Sequence, residues 1–341
     1  LFIAGSGLMR FFERQETARA QTLRLLLLFG LTLVALLLAV NGALALAWRL
    51  VTPGFSGYPG YFFTVNTSVT LLFVLGGWWL ETSALSSGGE ALARRVGARE
   101  AWPASREAEQ KLSNIVSELA IAASMKPPLA MVLPRLDAIN AFAAGWGEDD
   151  AVIAVTQGAL DKLTRDELQG LVAHELSHLR EGDTRLNMRL AGMVFGLEMI
   201  FSLGRSMCGA DENGQRSFLA LPGFPILVTG SLGWLAGRAL KAAISRQREF
   251  LADARAVQFT RSREGLGGVL RKVAGEEEQG MAPARSLHPA VQHMLLVDAR
   301  DRGSWFASHP PLAERIFQIY GRPMGALSMR DELPTRPDAI F

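Results

Sequence analysis

Two histidines four residues apart, with a glutamate beside the first, are the strongest chemical signal in the chain. They are His174, Glu175 and His178, within LQGLVAHELSHLREGD (Leu168–Asp183). On a helix, residues four apart share a face, so both imidazoles can meet one metal ion. Glu175 then projects beside that ion, placed to take a proton from a water held there. A catalytic metal site takes three protein ligands and keeps one position open, so one ligand is still missing. His288, His293, His309 and the downstream carboxylates are the candidates. In Glu249–Asp253 (EFLAD), Glu and Asp four apart share a helical face. They would supply a ligand and, one turn on, an acceptor for a ligand imidazole. The rival reading is a solvated helix in which Arg246, Glu249 and Asp253 pair three and four apart; the upstream motif favours the ligand. His288 and His293 have no spacing argument and read as surface or packing residues.

Composition narrows the chemistry further. The 341 residues are 49% hydrophobic, too apolar for an ordinary soluble enzyme and long enough for a catalytic domain plus membrane segments. A net charge of +2, with no basic run interleaved with aromatics, gives no case for nucleic acid. Cys208 is the only cysteine, which excludes an internal disulfide and a thiolate-rich metal site and fits a reducing compartment. Any metal must be held by histidines and carboxylates.

The elements that position these residues are legible in order. Leu1–Leu8 resembles a linker or cloning remnant and is set aside, with Met9 a sensible start. Leu25–Trp48 and Tyr61–Leu80 are each apolar over the roughly twenty residues needed to cross a bilayer as a helix. The uncharged Gly- and Pro-rich link between them makes a transmembrane hairpin of residues 9–85. Ser83–Gly89 reads as a small-residue linker into a soluble domain (residues 86–187). That domain opens with a helical period over Glu107–Ser124, ended by Pro127–Pro128. The runs Leu129–Leu133, Ala138–Ala144 and Ala151–Thr156 read as strands of a small sheet. Thr164–Glu167 is a T-x-x-E capping box that starts the motif helix, and Gly182 ends it.

Leu190–Gly204 and Phe218–Gly237 are again apolar and read as a second transmembrane hairpin (residues 188–240). Glu198 in the first of these is read as packed against a neighbouring helix. From Ala239 the chain turns polar and helical again, opening a second catalytic segment (residues 241–325) followed by a mobile tail (326–341). Arg10, Arg14, Arg19 and Arg24 precede the first span and Arg94, Arg95 and Arg99 follow the second, whereas the first loop offers only Arg49. Arg238, Lys241, Arg246 and Arg248 follow the fourth span, while the loop from Arg205 to Arg216 balances its charges. The positive-inside bias therefore puts both termini and the soluble parts in the cytoplasm.

The run Asn140–Asp183 resembles the HtpX-type membrane zinc metallopeptidases, whose wider group includes the type I CAAX prenyl protease. Glu249–Asp253 is similar to that family's E-x-x-x-D element, and Ser308-His309-Pro310-Pro311 to its His-Pro motif. The resemblance implies an α-helical membrane protein with an α+β zincin-like (gluzincin) catalytic domain, about four transmembrane helices and a small sheet. It implies one zinc ion per chain bound by His174, His178 and Glu249, with Glu175 as base and Asp253 orienting His174. It makes Asn140, Ala141, Phe142 and Ala143 an edge strand for an extended peptide; an unpaired edge binds backbone with little sequence selectivity. It brings His309 towards the metal, to stabilise an oxyanion or fill the open position, against a plain reading as a residue at a helix start. Asp183 is a candidate to orient His178.

The expected activity is a zinc-dependent endopeptidase in a bacterial inner membrane, its site facing the cytoplasm. Its partners would be polypeptide substrates and the lipid bilayer, and its role quality control of misfolded or damaged membrane proteins. The alternatives are a catalytically quiet zinc-binding membrane scaffold or chaperone, and a prenyl-protein processing protease. No oligomeric state is assigned.

Overall fold

The computed structural model describes residues 2–54, 57–209, 218–279, 294–296 and 309–327; side chains of 2–22, 241, 243–245 and 247 are not described. His288, His293, Ser308 and the tail from 328 lie outside the described residues. The chain divides into two compact units, Leu1–Thr82 with Arg189–Leu240, and Ser83–Met188 with Lys241–Phe341.

The first unit is helical. Helix α1 spans Phe2–Val51, so it includes residues set aside above as a remnant, and α2 spans Phe62–Leu85. Residues 189–208 of α7 (Asp183–Cys208) and 220–240 of α8 (Ala220–Thr260) supply the rest. Among the described residues four stretches, Leu23–Val51, Phe62–Leu85, Asp183–Cys208 and Ala220–Leu240, are long and apolar enough to cross a membrane. Leu31, Leu38 and Leu72 leave most of their surface exposed, as suits a face turned to lipid. Within the unit, a Cβ at Gly196 would overlap the Val74 carbonyl and crowd Trp78. Small residues allow this close backbone approach of α7 to α2, and dispersion rather than water exclusion holds such pairs. Asn41 Nδ2 donates to Thr67 Oγ1 at 3.0 Å, joining α1 to α2.

The second unit holds a four-stranded mixed sheet in the order β1-β2-β4-β3. Strand β1 is Arg99–Glu100, β2 Leu129–Leu133, β3 Ala141–Ala144 and β4 Val152–Thr156. Strand β2 runs parallel to β4, and β1 and β3 are antiparallel to their neighbours. Helices α3 (Gly88–Arg95), α4 (Glu107–Ala122), α5 (Gln157–Lys162), α6 (Arg165–Glu181), α9 (Arg263–Glu278) and α10 (Leu312–Tyr320) complete it. Leu112, Ile115, Leu171, Val172, Leu176, Leu266, Val269 and Ile316, from four of these helices, meet Val132, Ile153 and Val155 of the sheet in one buried cluster. Burying such side chains stabilises the unit by about 1.5–3 kcal/mol each before entropy is counted.

Two boundaries differ from the sequence reading. The linker over Ser83–Gly89 is shorter than its composition suggests, because α2 runs on to Leu85 and α3 starts at Gly88. The backbone of Gly89 lies against Ala144 and Asp150, where a Cβ would not fit, so its glycine serves packing rather than flexibility. The polar helix expected from Ala239 is not a new element either, since α8 continues unbroken to Thr260. Hydropathy falls there while helix-forming residues continue, and the fall marks the end of the apolar span rather than the end of the helix.

Candidate metal centre

Helix α6 is fixed at both ends by local chemistry. Thr164 accepts from the Glu167 amide, and Glu167 reaches back to the Thr164 amide, a complete capping box. Gly182 closes the other end in the left-handed region at φ 74°, which glycine adopts without Cβ strain. Lys272 of α9, fully buried, donates to Glu167 Oε2 at 2.8 Å. The capping carboxylate thus also anchors a neighbouring helix.

One turn separates His174 and His178, and their Nε2 atoms converge to 3.2 Å. From α8, Glu249 brings Oε2 to 3.7 Å from His174 Nε2 and Oε1 to 3.5 Å from His178 Nε2. Each residue offers one ligand atom to a cluster able to hold a metal ion. The outer ring nitrogens are held by carboxylates: His178 Nδ1 lies 3.0 Å from Asp183 Oδ2, and His174 Nδ1 lies 3.0 Å from Asp253 Oδ1. Such contacts favour a proton on Nδ1 and leave Nε2 of each ring facing inward, free to bind once His178 gives up its second proton. Asp183 is in turn paired with Arg248.

Glu175, 1% exposed, follows His174 with neither carboxylate oxygen in a hydrogen bond of regular geometry. Burial, helped by Glu249, outweighs the pull of His178, Arg315 and the Ala143 amide and brings its carboxyl up to about 8. Burial alone would lower His178, but Asp183 and Glu249 outweigh it and lift the imidazole to about 9. At His174 burial prevails and the pKa is lowered. Burial would raise Glu249, yet His309 and Arg315 bring it well below the usual carboxylate range.

His309, at the approach to α10, places Nδ1 3.1 Å from Glu249 Oε2, so it adjoins the cluster. Sequence reasoning missed Arg315, on the buried face of α10, whose guanidinium contacts both Asp253 and Glu249. Its only sequence signal was its place six residues after His309, beside Ile316 and Ile319.

The edge strand needs a correction. It starts at Ala141 rather than Asn140, and its outer side is not unpaired throughout. Phe142 forms an antiparallel bridge with Leu295, and the Leu296 amide donates to the Ala141 carbonyl at 3.0 Å. The Asn140 side chain takes the Ala141 amide at 3.0 Å. The chain's own Met294–Leu296 thus covers the first part of the edge and leaves Ala143 beside Glu175.

The sequence pattern of peptidase family M48 matches residues 106–322. The chain belongs to peptidase family M48. That match takes in β2–β4, the motif helix, Glu249 and Arg315. Within M48, a protease HtpX homolog from Syntrophobacter fumaroxidans is 35% identical over 231 residues, which are 64% of this chain and 78% of that protein. Another from Acidiphilium cryptum is 32% identical over 268 residues, 74% of this chain and 92% of the relative. The crystal structure of S. mikatae Ste24p aligns at 18% identity with a TM-score of 0.42, covering 87% of this chain and 66% of that one. The chain is an HtpX-like member of a metalloprotease family, with a His-His-Glu cluster and four apolar spans.

Proposed function

We propose that the protein is a membrane-integrated zinc endopeptidase that cleaves misfolded or damaged membrane proteins from the cytoplasmic side. The observation that carries this reading is the convergence of both Nε2 atoms and Glu249 beside a buried Glu175. Nitrogens bonded to one tetrahedral zinc at about 2.0–2.1 Å lie roughly 3.3 Å apart, and the two Nε2 atoms are 3.2 Å apart. The donor set of two imidazoles and a carboxylate is also that of a catalytic zinc site with one open position.

His174, His178 and Glu249 would hold the ion, while Asp253 and Asp183 orient the imidazoles. When bound, zinc polarises the scissile carbonyl and lowers the pKa of the attacking water to near 7. Glu175 takes the water's proton on a carboxylate oxygen and returns it to the leaving amine. Its carboxyl, raised by burial, has the proton affinity such a carrier needs, and a divalent cation nearby favours the ionised form at the start of the cycle. An extended substrate would pair with β3 from Ala143 onward, since Ala141 already has its partners. Backbone pairing reads no side chains, which suits varied substrates. His309, against Glu249, is placed to donate to an oxyanion.

Glu175→Gln keeps the size and the ligands but loses the base. Casein hydrolysis by the purified protein is expected to fall about 10²- to 10⁴-fold with zinc content unchanged, and phenanthroline to abolish wild-type cleavage. Normal turnover in Glu175→Gln, free of contaminating protease, would overturn the mechanism.

A further inference from the structure

Among the described residues, Arg315 is the largest fully buried side chain, at 0% exposure. A buried guanidinium is costly unless its donors are used, and here they are aimed at the metal cluster's surroundings. Nε donates to Asp253 Oδ2 at 2.8 Å and Nη2 to Asp253 Oδ1 at 2.7 Å, a two-point fork. Nη1 donates to the Leu296 carbonyl at 2.9 Å and lies 3.3 Å from Glu249 Oε2.

The Asp253 oxygen gripped by Nη2 is the one that faces His174 Nδ1 at 3.0 Å. A carboxylate held at both oxygens has no freedom to rotate, so the fork sets the direction in which Asp253 presents Oδ1 to the imidazole. Glu249 and Asp253 are both buried within one turn of α8, and Arg315 offsets the repulsion between them. A lysine has one point charge and cannot reproduce the fork.

We propose that Arg315 is a positioning residue of the metal centre, locking Asp253 to orient His174 and neutralising the carboxylate pair so that Glu249 faces the ion. The inference rests on the reading of His174, His178 and Glu249 as ligands. The test uses the full chain in detergent, stripped of metal and titrated with zinc against a fluorescent chelator, then loaded with Co(II) for its visible spectrum. Arg315→Met should weaken zinc about 10- to 100-fold, the usual scale for a ligand's hydrogen-bond partner, and change the Co(II) spectrum. Arg315→Lys should restore only part of that affinity. Asp253→Asn should weaken zinc similarly, and the double variant should be no worse than the weaker single, as for residues acting in series. The double variant lacks both buried charges, so it reports even if Arg315→Met fails to fold. Wild-type zinc affinity and Co(II) spectrum in Arg315→Met, whatever its thermal stability, would reduce Arg315 to a core ion pair and overturn the proposal, as would losses that multiply in the double variant. A wild-type protein that binds neither metal would instead overturn the ligand reading itself.

Discussion

His178 and Glu175 sit one turn apart on α6 and hold protons more tightly than their unfolded counterparts. His178 rises from 6.5 to about 9 through Asp183 and Glu249, which outweigh burial. Its contribution to stability is complete below 6.5 and is lost as pH rises through 9. Glu175 rises from 4.5 to about 8 through burial, so its contribution is complete below 4.5 and is lost through 8. Both signs agree: the chelated protein should unfold at progressively lower temperature from pH 6.5 to 9, by calorimetry. Zinc affinity should rise over the same window, because His178 must give up its proton to bind. Chelated protein more stable at pH 9 than at 6.5 would contradict the assignment. At this scale the sequence was legible wherever one helix fixed the geometry, since His174, Glu175 and His178 share a turn whatever else folds. Arg315 was not, because an arginine in LAERIFQIY reads as the polar face of an amphipathic helix. Only the approach of Asp253, from a remote helix, shows that it points inward.

Helix α6 carries the metal motif, and its placement depends on close packing against α9. A Cβ at Gly170 would overlap the backbone of Leu266 and Gly265, so Gly170→Ala must separate the two helices. The substitution improves helix propensity, yet overpacking against backbone costs about 1–3 kcal/mol. Thermal unfolding should therefore show a net loss of stability, with proteolytic activity reduced as α6 shifts. An unchanged melting temperature would mean that α9 yields without cost. The elements were legible where they carry their own punctuation: the capping box of α6, its Gly182 stop, and the apolar run of β2. They were not legible where tertiary contact decides. The two-residue β1 is too short to alternate, Gly88 and Gly89 read as a loop while packing makes them helix, and Leu295 gives no local sign that it will bridge Phe142.

At the scale of the whole molecule, the arginines flanking the apolar spans imply an orientation open to direct measurement. In a Cys208→Ala background, Gly57→Cys lies in the loop between α1 and α2, and Ser117→Cys on the exposed face of α4. An impermeant maleimide should label Gly57→Cys in intact cells and Ser117→Cys only after permeabilisation. The reverse pattern would put the catalytic unit outside the cytoplasm. The number of spans was legible because lipid demands a length of apolar residues that nothing else requires. The continuation of α8 beyond its apolar half to Thr260 was hidden by that same hydropathy. The order of these elements has a consequence in time. A ribosome delivers His174 and His178 first, Glu249 only after α7 and the apolar start of α8 have been made, and Arg315 later still. A nascent chain that stalls or is cut before Glu249 carries the two histidines without the carboxylate that completes the His-His-Glu cluster. The second pair of apolar helices is therefore synthesised before Glu249 can join the two histidines.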